Sequence, residues 1–540
     1  MVVRSESRAS ASNTAASTVD SRYGRYVLAV LVVVYVFNFI DRQILSILAE
    51  RIKKDLDLTD AQIGFLYGTA FAVFYSIFGI PLGRLADVWD RRRLIAIGLG
   101  FWSVMTALSG LARTFTQLGL ARIGVGVGEA SMSPAASSLL ADYFTVKRRA
   151  TVMAVHQSAI FIGSGLGLGI GGLIVERWDA AWAGAMPPFG LRGWQVAFFV
   201  VGIPGVLLSL WARTLREPPR GQADGIFSPL EANPLQQFGR ELRAVVPPFT
   251  VLHLLLVRAG TRALALNLAA ALGVAGLATL LTNWLGNPVQ WVALGIGLYA
   301  AISWAQALVR RDPVCFELMF GTPSLRYAAA CFSFLAAAGY GLNFWTAPFF
   351  IRVHGMTESQ AGLMIGGTHA LAGLIGVNLG GVLADRWRQR TLNGRLYVTI
   401  MTALLPVPFA IVVLTTQSTM LATVFYFPQS LFGALWSGAA VSTIQDLVLP
   451  RMRATAAAAY LLMVTFVGLA LGPYMVGRLS VGLGSLRGAM LCGLGANALA
   501  LLFGWLATRH LPHDESSKLD RARAAGEEGL DGVTAVRAAS

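Results

Sequence analysis

The chain is cut into apolar blocks near twenty residues long, and this spacing limits its fold more than any other feature. A helix rises ~1.5 Å per residue, so about twenty residues cross a hydrocarbon core of ~30 Å. Twelve blocks stand out: 25–47, 61–85, 93–112, 117–142, 149–176, 194–213, 325–351, 360–384, 395–415, 419–446, 453–478 and 485–507. Only 13% of the 540 residues are charged, where a soluble domain carries about 25%. There is too little polar surface to face water all round, so an all-α membrane protein is expected.

The formal charge of +15 sits largely in short loops between blocks. That is where a membrane protein keeps its cytoplasmic positives, so nucleic-acid binding is set aside. Arg91–Arg93, Lys147–Arg149, Arg386, Arg388 and Arg390, and Arg451 with Arg453 place four loops and both termini in the cytoplasm. The loop holding Arg51, Lys53 and Lys54 is the exception and is expected outside. Residues 1–24 and 508–540 read as disordered cytoplasmic tails. Cys315, Cys331 and Cys492 form no metal or disulfide spacing, and no two histidines share a metal-type spacing. There is no Walker-type GKS or GKT, so ATP drive is not expected.

Between the sixth and seventh blocks lies an insert, 214–324, with two further apolar stretches at 263–285 and 288–309. Arg258 and Arg262 flank one end of the pair, Arg310 and Arg311 the other, and the connection 283–288 has no Lys or Arg. A transmembrane hairpin over 263–309 fits, giving fourteen spans; the alternative is twelve, with two surface-lying helices. The short stretch 245–257 reads as surface-lying or partial.

The two sets of six blocks resemble each other. Residues 58–64 read LTDAQIG and 356–362 read MTESQAG, each with Thr before a helix and Gln three residues on, a capping-box pattern. GRLADVWDRRR (83–93) answers GVLADRWRQR (381–390) at the same offset of 298 residues. Tyr35-x-x-Asn38-Phe39 answers Tyr340-x-x-Asn343-Phe344, and Asp142 and Asp446 each precede an Arg-Ala-Thr by seven residues. An internal duplication of this kind predicts two pseudo-symmetric six-helix bundles, 25–213 and 325–507, with a midplane cavity where the repeats meet.

Gly83-Arg84-Leu85-Ala86-Asp87 with Arg91–Arg93 resembles the signature loop of the major facilitator superfamily, and Gly381 to Arg390 is its second copy. The first copy departs from the pattern at Val88, where a basic residue is common, and at Asp90, where Gly is common. More specific strings are similar to the spinster-like branch: Asn38-Phe39-Ile40-Asp41-Arg42, and Arg122-x-Gly124-x-Gly126-x-Gly128-Glu129-Ala130 followed by Pro134, Ser138 and Ala141-Asp142. The likeness covers 25–218 well and the second half more loosely; the insert is no part of it. It implies a major facilitator fold and a proton-linked transporter, in a branch associated with lysophospholipids, sphingolipids and other amphiphiles.

A charge inside a span is costly and marks function by default. Asp41 lies about 22 Å along the first block, and Arg122 and Glu129 lie about 8 and 18 Å into the fourth. The last two are seven residues apart on one helix face. These three are expected to form a proton-coupled switch, in which Arg122 pairs with Asp41 or Glu129 until the acid is protonated; a static ion pair is the alternative. Arg42 is expected to point away, toward the outer interface. Asp87, Arg91, Arg92, Arg93, Asp142, Arg149, Asp385 and Arg386 are candidates for a cytoplasmic gate, against helix capping and topology as the plainer reading. Asn38, Tyr67, His156, Gln157, Asn343, Trp345, His369 and Gln429 are candidate cavity-lining residues, or interhelical hydrogen bonds. Glycines 163, 165, 167, 169, 171 and 172, and 468, 472 and 477, serve close packing or bending.

The expected function is proton-coupled secondary transport, without a further cofactor, of a small amphiphilic or anionic molecule, lysolipid-like or an organic acid. The chain is expected to be a multi-pass, monomeric protein of the bacterial inner membrane. A lipid-modifying intramembrane enzyme would need a nucleophile or metal constellation that is not found; a membrane sensor that does not transport is the other alternative.

Overall fold

The computed structural model describes residues 19–223 and 233–527. The outer parts of both expected tails, and part of the insert, lie outside the described residues. What is described is almost wholly helical. In the first repeat α1 is Arg22–Leu56, α2 Asp60–Tyr67, α3 Thr69–Val88, α4 Arg91–Ser109, α5 Phe115–Glu129, α6 Met132–Tyr143, α7 Val146–Ala181 and α8 Gly193–Arg213. The insert holds α9 (Pro234–Val245), α10 (Phe249–Leu256), α11 (Thr261–Leu285), α12 (Pro288–Arg311) and α13 (Pro313–Phe320). The second repeat has α14 (Pro323–His354), α15 (Glu358–Arg390), α16 (Gly394–Leu404), α17 (Pro406–Thr415), α18 (Thr419–Gly433), α19 (Trp436–Asp446) and α20 (Arg453–Met463). A π-helical stretch, Val464–Leu471, then leads into α21 (Gly472–Leu483), α22 (Leu486–Gly493), α23 (Gly495–Ser516) and α24 (Lys518–Ala524).

Among the described residues eleven helices are long and apolar enough to cross a membrane, nine in the repeats and two, α11 and α12, in the insert. The other three blocks are α4, which opens on three arginines, and the fourth and tenth blocks, each in two pieces. The breaks fall at Ala130-Ser131 and at Ala434-Leu435, 304 residues apart as Asp142 and Asp446 are, so the interruption is part of the repeat. Both capping boxes form. Gln62 N–H donates to Thr59 Oγ1 at 3.3 Å and Thr59 N–H to Gln62 Oε1 at 2.9 Å; at Thr357 and Gln360 the same pair measures 3.3 and 3.2 Å.

Two sequence expectations need correction. Arg51, Lys53 and Lys54 are not in a loop: α1 continues to Leu56 and ends where Asp57 turns left-handed at φ 51°. The tail expected to be disordered from 508 is helical through Ala524. It is held by bonds composition does not reveal: Ser324 N–H donates to Asp514 at 2.8 Å and Lys518 Nζ to the Asp446 carbonyl at 2.6 Å. The stretch 245–257 contains α10, eight residues and far short of a membrane span. Its Thr250 joins a buried polar cluster with Tyr299 and Asn267, linked at 2.8 and 2.6 Å, that ties α10, α11 and α12 together.

The described chain packs as two compact units whose borders cut through helices. One comprises residues up to Leu58 with Phe74–Arg243 and Phe350–Ala370; the other comprises Thr59–Val73, Ala244–Phe349 and the residues from Leu371. The first turns of the second span thus pack with the second repeat, and those of the eighth with the first.

Glycine makes both exchanges possible. In the first unit α7 crosses α15, and a Cβ on Gly362, Gly366 or Gly172 would lie closer than 3.0 Å to a backbone carbonyl of the other helix. In the second unit α2, with the Gly68 that follows it, crosses α21 and the end of the π-helical stretch, and the same holds for Gly64, Gly68 and Gly477. Gly64 and Gly362, and Gly68 and Gly366, are repeat mates at the offset of 298 residues, and Gly172 and Gly477 at 305. The glycines of α7 sort into two stripes at helical spacing. Gly163, Gly167 and Gly171 abut α1, while Gly165 and Gly172 abut α15. Close packing is the reading that fits these contacts.

Substituting Gly366→Ala puts a methyl against the Gly165 carbonyl, whereas the neighbouring Gly367 has nothing within 4 Å of its added Cβ. Overpacking of this kind costs ~1–3 kcal/mol. Thermal unfolding in detergent is expected to show a clear loss for Gly366→Ala and none for Gly367→Ala.

Candidate coupling site

Asp41, Arg42, Arg122 and Glu129 come from two helices of the first unit, α1 and α5, with α4 supplying a hydroxyl. Asp41, Arg122 and Glu129 are all buried, at 2%, 1% and 1% exposure, so each needs compensation from protein groups. The Glu129 carboxylate ends α5, just before the break at Ala130. Its Oε2 accepts from Arg42 Nε at 2.6 Å. Thr106 Oγ1 on α4 donates to Asp41 Oδ1 at 2.6 Å. Asp41 also feels the charges of Glu129, Arg122 and Arg42, so two acids and two guanidiniums share one field.

Arg42 is therefore not directed to an outer interface. Its side chain is 16% exposed, and its guanidinium lies over the rings of Phe39 and Tyr75, 4.9 and 4.8 Å from their centroids. Adjacent helix residues do point about 100° apart, but α1 is enclosed on more than one side. The six-atom reach of Arg42 then finds Glu129 while Asp41 turns to Thr106. The signal was present in the sequence: an arginine in an apolar block stays charged, so it needs an acid at its own depth.

The cavity candidates divide. Asn38 and His156 are buried in the first unit, His156 stacked on Tyr35 with centroids 4.4 Å apart. His369 faces Phe161 at 5.9 Å in the same unit. Gln157 is exposed. In the second unit Tyr67 stacks on Phe344 at 4.2 Å, and Trp345 commits its indole N–H to the Pro473 carbonyl at 2.8 Å. Asn343 and Gln429 are half-buried.

At the arginine-rich end one side chain dominates. Arg91, in the first turn of α4, is 1% exposed. It donates to Asp142 at 2.5 Å, to Glu217 at 2.7 Å, and to the carbonyl and hydroxyl of Ser138 at 3.0 Å each. Asp142 also accepts from Gly221 N–H at 2.9 Å. Burial pushes the Glu217 carboxyl above its ordinary range, while the Arg91 guanidinium and the Arg92 N–H pull it down. In the second repeat Arg395 pairs with Asp446 and lies 3.7 Å from Asp385. Arg91 and Arg395 are 304 residues apart, and so are Asp142 and Asp446. That shared offset was the unused signal for Arg395; Glu217, beyond the sixth span, had none.

The other gate candidates are placed differently. Arg92 and Arg93 each pair with Asp90 at 3.1 Å, where Asp90 caps α4. Arg149 donates to the Ala141 carbonyl at 2.9 Å. Asp87 and Arg386 are exposed.

The family model described as Major Facilitator Superfamily matches residues 31–473. An MFS-type efflux pump of Mycolicibacterium smegmatis is 27% identical over 475 residues, 88% of each chain. Protein spinster homolog 1 of Bos taurus is 26% identical over 469 residues, 85% of this chain and 74% of that one. Among solved structures, a bacterial homolog of the human lysosomal transporter Spinster, inward-facing and occupied, superposes with a TM-score of 0.67 at 25% identity, covering 91% of this chain and 98% of that one.

Removing Arg91 leaves two acids without their shared cation, at a cost of ~3–5 kcal/mol for a broken buried pair. Arg91→Gln is expected to destabilise the protein strongly in thermal melts, and Arg91→Lys to recover little, because a point charge cannot bridge both carboxylates. Arg395→Gln, whose site is more open, is expected to lose less.

Proposed function

Because the chain belongs to the major facilitator superfamily, on its spinster-like branch, we propose that it is a proton-coupled secondary transporter working by alternating access. It is an integral, multi-pass membrane protein. The observation that carries the proposal is the pairing of Arg42 with the buried Glu129, with Asp41 in the same field. An arginine stays protonated in proteins, so the acid is the member of the pair that changes charge.

While Glu129 is ionised, it holds Arg42 and ties α1 to α5. A proton arriving at Glu129 removes the countercharge and leaves a guanidinium in an apolar surround, which favours rearrangement. Asp41, fixed by Thr106, is the alternative partner for the released cation, and Arg122 lies within the same field. The freed guanidinium can also meet an anionic group on the cargo, so charge moves as a closed set: proton in, cation released, anion held. The cargo is a small molecule with an anionic group, either a lysolipid-like amphiphile or an organic acid. The Arg42 guanidinium and the buried Arg122 support the anion.

The test is uptake by reconstituted vesicles under an imposed pH gradient, across lysolipid and organic-acid panels. Glu129→Gln and Asp41→Asn are each expected to lower gradient-driven uptake at least about tenfold, equal to ~1.4 kcal/mol in the barrier. Undiminished proton-driven uptake in both variants removes the reading. Uptake of neither panel by the wild-type protein removes the cargo class.

A further inference from the structure

The inserted hairpin is bonded at its tip to the crossing of α2 with α21, all within the second compact unit. Gln290, in the first turn of α12, is 1% exposed. Its amide oxygen lies 2.7 Å from the Thr69 hydroxyl, and the hydroxyl lies 2.8 Å from the Ala470 carbonyl. Thr69 is the first residue of α3, directly after the break in the second span at Gly68. Ala470 belongs to the π-helical stretch, and the Pro473 that follows has no N–H to donate back into it. Carbonyls there are available to partners from outside the helix.

Four further contacts join the hairpin to α21 and the π-helical stretch. Arg478 Nε donates to the Leu285 carbonyl at 3.0 Å, and Asn287 Nδ2 to the Tyr474 hydroxyl at 3.2 Å. Trp291 meets the Tyr474 ring edge-on, with centroids 5.6 Å apart. A Cβ on Gly297 would lie closer than 3.0 Å to the Phe466 ring, so that ring rests on the hairpin backbone. Away from these contacts α11 is almost bare: only 6% of its most apolar stretch is buried.

We propose that the hairpin is a latch on this crossing. Gln290 is a positioning residue: through Thr69 it holds the joint of the second span against the π-helical stretch, and so sets how readily the crossing opens. The consequence for transport rests on the alternating-access reading. The contact itself does not depend on which ion or cargo drives the cycle.

Hydrogen–deuterium exchange of the full-length protein in lipid nanodiscs tests the latch with no gradient and no cargo. Gln290→Leu and Thr69→Val are each expected to speed exchange about fivefold in peptides covering 59–73 and 464–483, the factor that one net hydrogen bond contributes. Peptides of α11 and α12 are expected to keep their wild-type rates. Thr69→Ser, which retains the hydroxyl, and Leu272→Ala, on the lipid-facing side, are expected to change neither region. Unchanged exchange in 59–73 and 464–483, or an increase confined to the hairpin, overturns the proposal. Such a failure leaves proton coupling standing, and a failed uptake test leaves the latch standing.

Discussion

An arginine cannot discharge itself inside an apolar helix, and the first unit is organised around that constraint. The Arg42 guanidinium lies over the Phe39 ring of its own helix, and Glu129 meets it at 2.6 Å. The carboxylate is positioned by the end of α5, and the same break that ends α5 recurs in the second repeat at Ala434-Leu435. The second repeat keeps the break without a carboxylate at the matching place, where Gly433 stands. The two copies thus share the scaffold, and the first carries the charge. Burying an ion pair is weak evidence for stability, since desolvation opposes the attraction. A role in switching gives a reason for the two charges that stability alone does not.

A transporter also needs contacts that are firm and yet separable. The two glycine crossings meet that need with backbone against backbone and few interlocking side chains. Each half of the duplication contributes to both, since α2 packs in the second unit and the start of α15 in the first. The arginine clusters at the other end serve a different purpose. Arg91 and Arg395 each bind an acid of their own repeat, Asp142 and Asp446, and Arg91 also takes Glu217 from beyond the sixth span.

Much of this was legible in the sequence, for identifiable reasons. Block length gave the spans because hydrocarbon thickness fixes it. Offsets of 298 and about 304 residues gave the duplication, and they also locate Arg395, the paired helix breaks and the glycine mates. Asp41, Arg122 and Glu129 stood out because charge inside a span is rare. The direction of Arg42 was misread because helix geometry gives the angle between neighbours but not what encloses the helix. The helical tail to Ala524 escaped notice because its stability lies in distant partners, such as Ser324 and Asp446. The attachment of the hairpin was equally hidden: nothing near Gln290 in sequence announces Thr69, 221 residues away.

The central claim is that Glu129 changes charge while Arg42 does not. Infrared difference spectroscopy of the protein in membranes, recorded as the medium is taken from neutral to acid, reads carboxyl protonation directly. A band of a buried protonated carboxyl is expected to grow on acidification and to be missing from the same spectrum of Glu129→Gln. A spectrum with no such band, or one that Glu129→Gln leaves unaltered, would contradict it.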